Sequence, residues 1–432
     1  MTAFLRFSGR ISDLSTDDRR VLLDRADRLD EHVGARVATI IADVRRRGDD
    51  ALRDMARDFD GVVLESLEVS ATRLTRALDA LDLQLRRALE RARDNITAVH
   101  RAFAPVRAEC EPEPGIIIGR RPDPLQRVGV YAPGGRATYP SSVLMGVVPA
   151  RAAGVAEVIL CTPPGRGGAP SNTLLAAAAL AGVDRVFVVG GAGAIGAMAL
   201  GTETVPRVDR IVGPGNAFVS AAKAQLAGVV GIDSPAGPSE LLIVADETAS
   251  ARDVAIELVA QAEHDPQACV VAVVVGDSFA REVERALCAA AGVAPRGDIV
   301  AAALAGQGAV LGARDLDEAI AFANAYAPEH LWVVTRDDDR VLSRVRNAGT
   351  VFVGRDASVA FGDYMSGANH VLPTGGAARS YSGLSPLDFV RWTTYQRFTE
   401  SAARCLADDV AVFAAAESLP GHAAAAQRWR ST

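Results

Sequence analysis

From residue 127 onward the chain repeats one unit: a short apolar run, a glycine-rich turn and an alanine-rich stretch. Arg127-Val-Gly-Val-Tyr131 leads into Ala-Pro-Gly-Gly135, Glu157-Val-Ile-Leu160 into Thr-Pro-Pro-Gly165, and Asp184-Arg-Val-Phe-Val-Val189 into Gly-Gly-Ala-Gly193. A strand that is apolar on both faces must be covered on both, and parallel neighbours need a long crossover, which a helix supplies. The pattern therefore predicts a doubly wound α/β layer, with ligands bound beyond the carboxyl ends of its strands.

A second round begins near Pro238. Strands are expected at 241–245, 268–275, 331–334 and 350–353, with a helix over 251–264 that Pro266 ends. Between residues 12 and 105 the apolar residues recur at three and four spacing, which predicts helices over 18–33, 35–47 and 72–100. The fold class expected is α/β, with two Rossmann-like doubly wound units, a helical N-terminal segment and a small helical C-terminal tail. At 432 residues the chain exceeds what one core serves, because single cores stop growing at about 250–300 residues. The expected divisions are a helical segment over 1–25, a larger α/β domain from 26–129 plus 238–384, an inserted α/β domain over 130–237, and a tail over 385–432.

Charge narrows the partners. A net charge of −7 and a pI near 5.5 give no long-range attraction for phosphate backbones, and the arginines are spread along amphipathic stretches, so nucleic acid is excluded. The opening residues are broken by charge, with no apolar signal region. No uninterrupted apolar stretch reaches the roughly 18 residues of a membrane span. A cytoplasmic enzyme is expected. Cys110, Cys161, Cys269, Cys288 and Cys405 are odd in number and never spaced as Cys-x-x-Cys, which argues against a disulfide framework or a thiolate zinc knuckle. Cys269 falls in an apolar run and reads as a buried small hydrophobe.

Histidine is scarce, six in all, and four of them (His264, His330, His370 and His422) lie in the second half beside acids or amides. Gln261 and His264 are three apart at a helix end, so both project from one face. Asp363 and His370 share a glycine-punctuated loop, and His422 follows Glu417 in the tail. A zinc ion takes about four nitrogen, oxygen or sulfur ligands, which a set drawn from His264, Asp363, His422 and one more would supply. Singly, each of these histidines also reads as a hydrogen-bonded structural residue. Glu329-His330 follows Pro328 at the mouth of a strand, where it is either an acid/base pair or a capped helix-to-strand junction. His32 and His100 read as surface or capping residues at helix ends. The spacing Gly191-x-Gly193-x-x-Gly196, with Asp209 further on, fits either a dinucleotide turn or tight strand-to-helix packing. These residues alone leave open a zinc-assisted dehydrogenase and a zinc hydrolase.

The segments resemble the histidinol dehydrogenase family. The resemblance runs from about Arg127 to His422 through Val130-Tyr-Ala-Pro-Gly-Gly135, Tyr139-Pro-Ser-Ser-Val-Leu-Met145, Gly201-Thr-Glu-Thr-Val-Pro206, Gly213-Pro-Gly-Asn-Ala-Phe218, Pro235-Ala-Gly-Pro-Ser-Glu240, Gln261-Ala-Glu-His-Asp-Pro266, Tyr326-Ala-Pro-Glu-His-Leu331 and Gly362-Asp-Tyr364 with Asn369-His-Val-Leu-Pro-Thr374. It implies a zinc ion held by Gln261, His264, Asp363 and His422, and an acid/base pair of Glu329 and His330. Ser239, His370 and Glu417 would join the zinc ligands and His330 around the substrate, while Tyr131 and Asn216 would touch NAD. The implied reaction is the four-electron oxidation of L-histidinol, through an aldehyde, to L-histidine, consuming two NAD and one water. The family also implies a homodimer in which Glu417 and His422 reach the partner's site. The chain departs from the family at Gly193, where a glutamine usually contacts the nucleotide. That residue is the argument for the alternative, a paralogous zinc- and NAD-dependent dehydrogenase of another amino alcohol or polyol.

Overall fold

The computed structural model describes residues 5–25, 31–134, 138–165, 167–234 and 237–430. Fifteen strands among them form three sheets. The first contains, in spatial order, β1 (Phe7–Arg10), β12 (Gly308–Ala313), β11 (Cys269–Val275), β10 (Glu240–Ala245), β13 (His330–Val334) and β14 (Thr350–Val353), all paired in parallel. The second runs β2 (Glu68–Val69), β7 (Arg185–Val188), β6 (Glu157–Thr162), β5 (Arg127–Tyr131), β8 (Arg210–Val212) and β9 (Gly231–Ile232), parallel except for β2. The third is antiparallel, with β4 (Ile116–Pro124) between β3 (Ala108–Glu113) and β15 (Val390–Phe398). The fold is thus α/β with two doubly wound sheets, as the repeated unit predicts.

The apolar runs form strands because helices bury them from both sides. Every residue of β10 and of β13 is buried. One core on the β10 sheet joins Leu241, Ile243, Val254, Leu258, Val270 and Trp332. The other joins Phe7, Leu22, Leu242, Val244, Ile320 and Tyr326. The core of the β5 sheet draws on Val37, Val44, Leu52, Leu74, Leu89 and Ile96 as well as on residues 128–230. The N-terminal helices, grouped from sequence with residues 238–384, therefore cover the β5 sheet instead, and the expected boundary at residues 129 and 130 falls within this core.

Local signals moved several boundaries. The break expected near residue 34 is absent, because Glu31–Arg47 is one helix, with the Gly34 carbonyl accepting from Gln225 Nε2 at 2.8 Å. The single helix expected over 72–100 is two, Ala71–Asp79 and Leu83–Ala102, because the Asp82 carboxylate accepts from the Gln84 and Leu85 amides and caps a new start. The helix expected over 18–33 ends at Leu23, and its stretch over 26–30 lies outside the described residues. Strand β1 within the N-terminal segment, and β15 at the head of the tail, were not expected as strands. The tail is helical from Glu400 to Ala416 and from Pro420 to Gln427. Among the described residues no helix is long and apolar enough to cross a membrane.

Candidate active site

Both parallel sheets share one topology. The orders β7-β6-β5-β8-β9 and β12-β11-β10-β13-β14 each place the first strand of the unit beside the fourth, and the crossovers leave that pair in opposite directions, opening a crevice. Tyr131 ends β5 and Asn216 follows β8, at the carboxyl ends expected of a nucleotide crevice. Three other candidates lie at the amino ends of the β10 sheet: Ser239 directly precedes β10, and Glu329-His330 opens β13. These candidates therefore stand at the strand ends opposite to the carboxyl ends at which ligands were expected.

One loop ties the helices of the β5 sheet to the candidates Asp363 and His370. Asn95 Nδ2 donates to the Met365 carbonyl at 2.7 Å, and Asn369 Nδ2 to the Met145 carbonyl at 2.8 Å, so two helices of the β5 sheet pin the loop that joins His370 to Asp363, which lies in the short helix Val359–Tyr364 and not, as expected, in the loop itself. Gly367 has φ +95, and a Cβ there would stand 2.5 Å from the Asn95 carbonyl oxygen. Only glycine fits at that contact. His370 Nδ1 bonds to the Asp363 carbonyl at 2.9 Å, closing the loop on itself.

His330 is buried, with its Nδ1 3.0 Å from the Glu240 carbonyl oxygen. A carbonyl only accepts, so Nδ1 carries the proton in the neutral ring and Nε2 bears the lone pair. Nε2 is buried without a hydrogen bond and lies 3.5 Å from Asp363 Oδ1. On the other side, Glu329 Oε2 is 3.4 Å from Nδ1 and accepts the Glu240 amide at 2.7 Å. Burial pulls the imidazole down, but the Glu329 and Asp363 carboxylates outweigh it and raise His330 to about 10. Burial raises Glu329, and burial lowers His370. Asp363 is opposed by burial yet held below the usual carboxylate range by His330, His370 and His264. A carboxyl group with a raised pKa beside an imidazole whose outer nitrogen is free can trade protons with a bound molecule.

Gln261 sits at the end of the helix Ala251–Ala262 and is buried. Its amide makes no hydrogen bond among the described residues, and the following turn brings His264, whose backbone amide bonds to the Gln261 carbonyl at 3.3 Å. An amide oxygen, an exposed imidazole and the Asp363 carboxylate are a donor set suited to a borderline cation such as zinc. Among the described residues no three His, Cys, Asp or Glu side chains converge as a metal site. Glu417 ends the helix Glu400–Ala416 and His422 lies in Pro420–Gln427, both exposed, and neither side chain bonds to the other candidates. Cys269 opens β11 near Glu240 and Glu329, and burial pushes its thiol up to about 12, which leaves it inert as a nucleophile.

At the other crevice the Tyr131 hydroxyl accepts the Gly191 amide at 3.1 Å, and Asn216 caps the helix Ala217–Leu226 by accepting from Phe218 and Val219. Gly213 has φ +117, and a Cβ there would meet the Tyr131 carbonyl oxygen at 2.1 Å. Its amide donates to Asp233 Oδ2 at 2.7 Å while its carbonyl accepts from Lys223 Nζ, and Lys223 and Asp233 pair at 2.6 Å, both buried. This closed ring of bonds fixes the turn that presents Asn216, and sequence reasoning passed over it. Asp209, considered as a ribose partner, spends its carboxylate on the Gln126 and Arg127 amides at 3.0 and 2.9 Å. Gly193 packs under Met55, whose sulfur would lie 2.8 Å from an added Cβ, and Gly196 packs on Val44. The glycine spacing therefore serves helix packing. His100, expected at a surface or as a cap, is buried and bonds through Nδ1 to the Ile96 carbonyl at 2.9 Å.

Known proteins resemble the chain over nearly its whole length. A family model described as histidinol dehydrogenase matches residues 23–430. The histidinol dehydrogenase of Methanosarcina mazei is 48% identical over 415 residues, which cover 96% of this chain and 95% of the relative. That of Methanocaldococcus jannaschii is 41% identical over 420 residues, covering 97% of each. The crystal structure of histidinol dehydrogenase from Elizabethkingia anophelis superposes with a TM-score of 0.93 at 33% identity, over 99% of this chain and 98% of that one.

Proposed function

The chain belongs to the histidinol dehydrogenase family, and on that premise we propose that it oxidises L-histidinol through L-histidinaldehyde to L-histidine, with zinc, two NAD and one water, in histidine biosynthesis. The observation that carries this reading is the His330 ring, whose Nδ1 is committed to a backbone carbonyl while buried Nε2 has no hydrogen bond. In each oxidation His330, once its ring is neutral, would take the proton of the substrate oxygen at Nε2, and bound NAD would supply the hydride acceptor. Between the two oxidations Glu329 takes a proton from the water that adds to the aldehyde. The buried carboxyl is suited to that role because its pKa is raised.

Gln261, His264, Asp363 and His422 would hold the zinc, which would supply a Lewis acid to position the substrate and would offset the charge of Asp363, one of the two carboxylates, with Glu329, that raise His330. The unbonded buried amide of Gln261 supports this fit. Two of these ligands are an amide and a tail histidine, so the set would close only when the tail of a second subunit brings His422 and Glu417 to it. Val412 and Phe413 expose apolar surface on the same tail, which suits a homodimer. Ser239 and His370 would line the substrate, and Tyr131 and Asn216 the NAD. The enzyme would work in the cytoplasm.

The test is to give zinc-loaded protein limiting L-histidinol and excess NAD, then count the NADH. Two NADH per histidinol with histidine as product is the expected result. No turnover despite bound zinc would favour the paralogous dehydrogenase of another amino alcohol, for which the family departure at Gly193 is the argument. His330→Asn should slow both oxidations and Glu329→Gln mainly the second. Activity that survives thorough chelation would refute the zinc assignment.

A further inference from the structure

Glu240 touches the Glu329-His330 dipeptide through three separate groups. Its amide donates to Glu329 Oε2 at 2.7 Å, its carbonyl accepts from His330 Nδ1 at 3.0 Å, and its carboxylate accepts the Glu329 amide at 3.3 Å. The carboxylate is itself gripped by Arg25, from Nε to Oε1 at 2.9 Å and from Nη2 to Oε2 at 3.0 Å, and by the Gly375 amide at 2.9 Å. Arg25 in turn donates to the Leu22 and Tyr326 carbonyls, and its guanidinium lies 3.3 Å from the centre of the Tyr326 ring. The Arg25 and Glu240 side chains are 3% and 2% exposed.

A buried ion pair is weak evidence of a stabilising role, since an apolar pair of similar volume often serves as well. What distinguishes this one is where its bonds end. Arg25 lies 215 positions before Glu240; the far side of the pair ends on the Glu329 backbone amide, and the main chain of the same Glu240 bonds to the Glu329 carboxyl and the His330 ring, the two groups that would move protons. We propose that Glu240, clamped by Arg25, is the positioning residue of the Glu329-His330 pair: its amide aims the Glu329 carboxyl, its carbonyl fixes the His330 tautomer, and Arg25 holds its carboxylate on the Glu329 amide. The N-terminal segment thereby enters the chemistry without touching substrate. This inference rests on the acid/base reading of Glu329 and His330.

The experiment compares Arg25→Met, Arg25→Lys, Glu240→Gln and the double variant Arg25→Met/Glu240→Gln with His330→Asn and Glu329→Gln. It measures kcat and KM separately for histidinol and histidinaldehyde, together with the urea midpoint. Misplacing the pair should lower kcat on both substrates by about 10–10²-fold, with KM within about two-fold of wild type. Arg25→Lys keeps the charge but loses the planar fork, so part of the rate should return. If either single variant fails to fold, the double variant carries the test, since it leaves no unpaired buried charge. Folded variants that keep wild-type kcat, or that lose only stability or KM, overturn the positioning role. Wild-type rates in His330→Asn and Glu329→Gln would instead overturn the acid/base reading itself.

Discussion

Lys223→Met removes an ammonium that is 4% exposed and keeps a side chain of similar length. What remains, among the described residues, is the Asp233 carboxylate, equally buried and satisfied by the Gly213 amide, and a Gly213 carbonyl that has lost the Lys223 donor. Breaking a buried ion pair from one side costs about 3–5 kcal/mol, because the surviving charge stays desolvated. The double variant Lys223→Met/Asp233→Asn removes both charges while the new amide oxygen can still accept from Gly213. Its residual cost is the orphaned carbonyl, about 1–3 kcal/mol, so the double variant should be more stable than the Lys223→Met single. Urea unfolding, with each variant's own slope used to convert midpoints, measures both differences. The same proteins should show a raised KM for NAD, because the Gly213 peptide packs against the Tyr131 carbonyl and sets the turn that carries Asn216. A Lys223→Met cost under about 1 kcal/mol, or a double variant no more stable than the single, would refute the reasoning.

Gly367→Ala forces a Cβ against the Asn95 carbonyl at positive φ, and should cost about 1–3 kcal/mol; turnover should fall with it, since that loop joins Asp363 to His370, and unchanged kinetics would show that the loop geometry is dispensable. Asp49 is opposed by burial but held below the usual carboxylate range by hydrogen bonds from Thr202 and Thr204. A depressed carboxylate adds stability above its unfolded pKa of about 4 and loses it as pH falls through the folded value. Asp49→Asn should therefore be less stable than wild type near neutral pH, with the gap closing below about pH 4; a gap that stays constant with pH would exclude this linkage. Asp209→Asn should leave the KM for NAD unchanged while lowering the urea midpoint, because its carboxylate bonds to the Gln126 and Arg127 amides.

The central strands were legible because burial on both faces leaves no room for polar alternation, so β5, β6, β10, β11 and β13 read directly as apolar runs. Strands at the edges were not. Phe7–Arg10 is exposed at three of four positions and exists because Ala309–Gly312 offers it a free edge. Val390–Phe398 mixes apolar and polar residues along β4, and its Trp, Thr, Tyr and Phe content was the one usable signal. In the site, the histidines and acids stood out because their types are scarce or reactive. Glu240 did not, since a glutamate after Pro-Ser reads as a solvated turn. The usable clue was its position directly against the wholly apolar Leu241–Ala245 run, where a charge needs a buried partner. Arg25 had no such clue, because its partner is distant in sequence and both helix and loop arginines are common in this chain. Lys223 and Asp233 were hidden for the same reason, each plain until the turn at Gly213 folds between them.

The placement of Glu240, Glu329 and His330 at the amino ends of their strands leaves the opposite rim of that sheet unburdened. Strand β10 spans six residues, so at about 3.3 Å per residue its far end stands about 17 Å from Glu240. The turns there, around Asp246–Thr248, Gly276 and Arg314–Asp315, are held by local bonds, such as the Thr248 amide to Asp246 Oδ1 and the Arg314 amide to Glu318 Oε2, and by bonds within the rim, such as the Arg336 amide to Asp246 Oδ2 and the Gly276 amide to the Ala313 carbonyl. That rim is where a fused tag, a grafted epitope or a fluorescent reporter can be spliced into the chain while Glu329 and His330, a strand's length away, stay where they are.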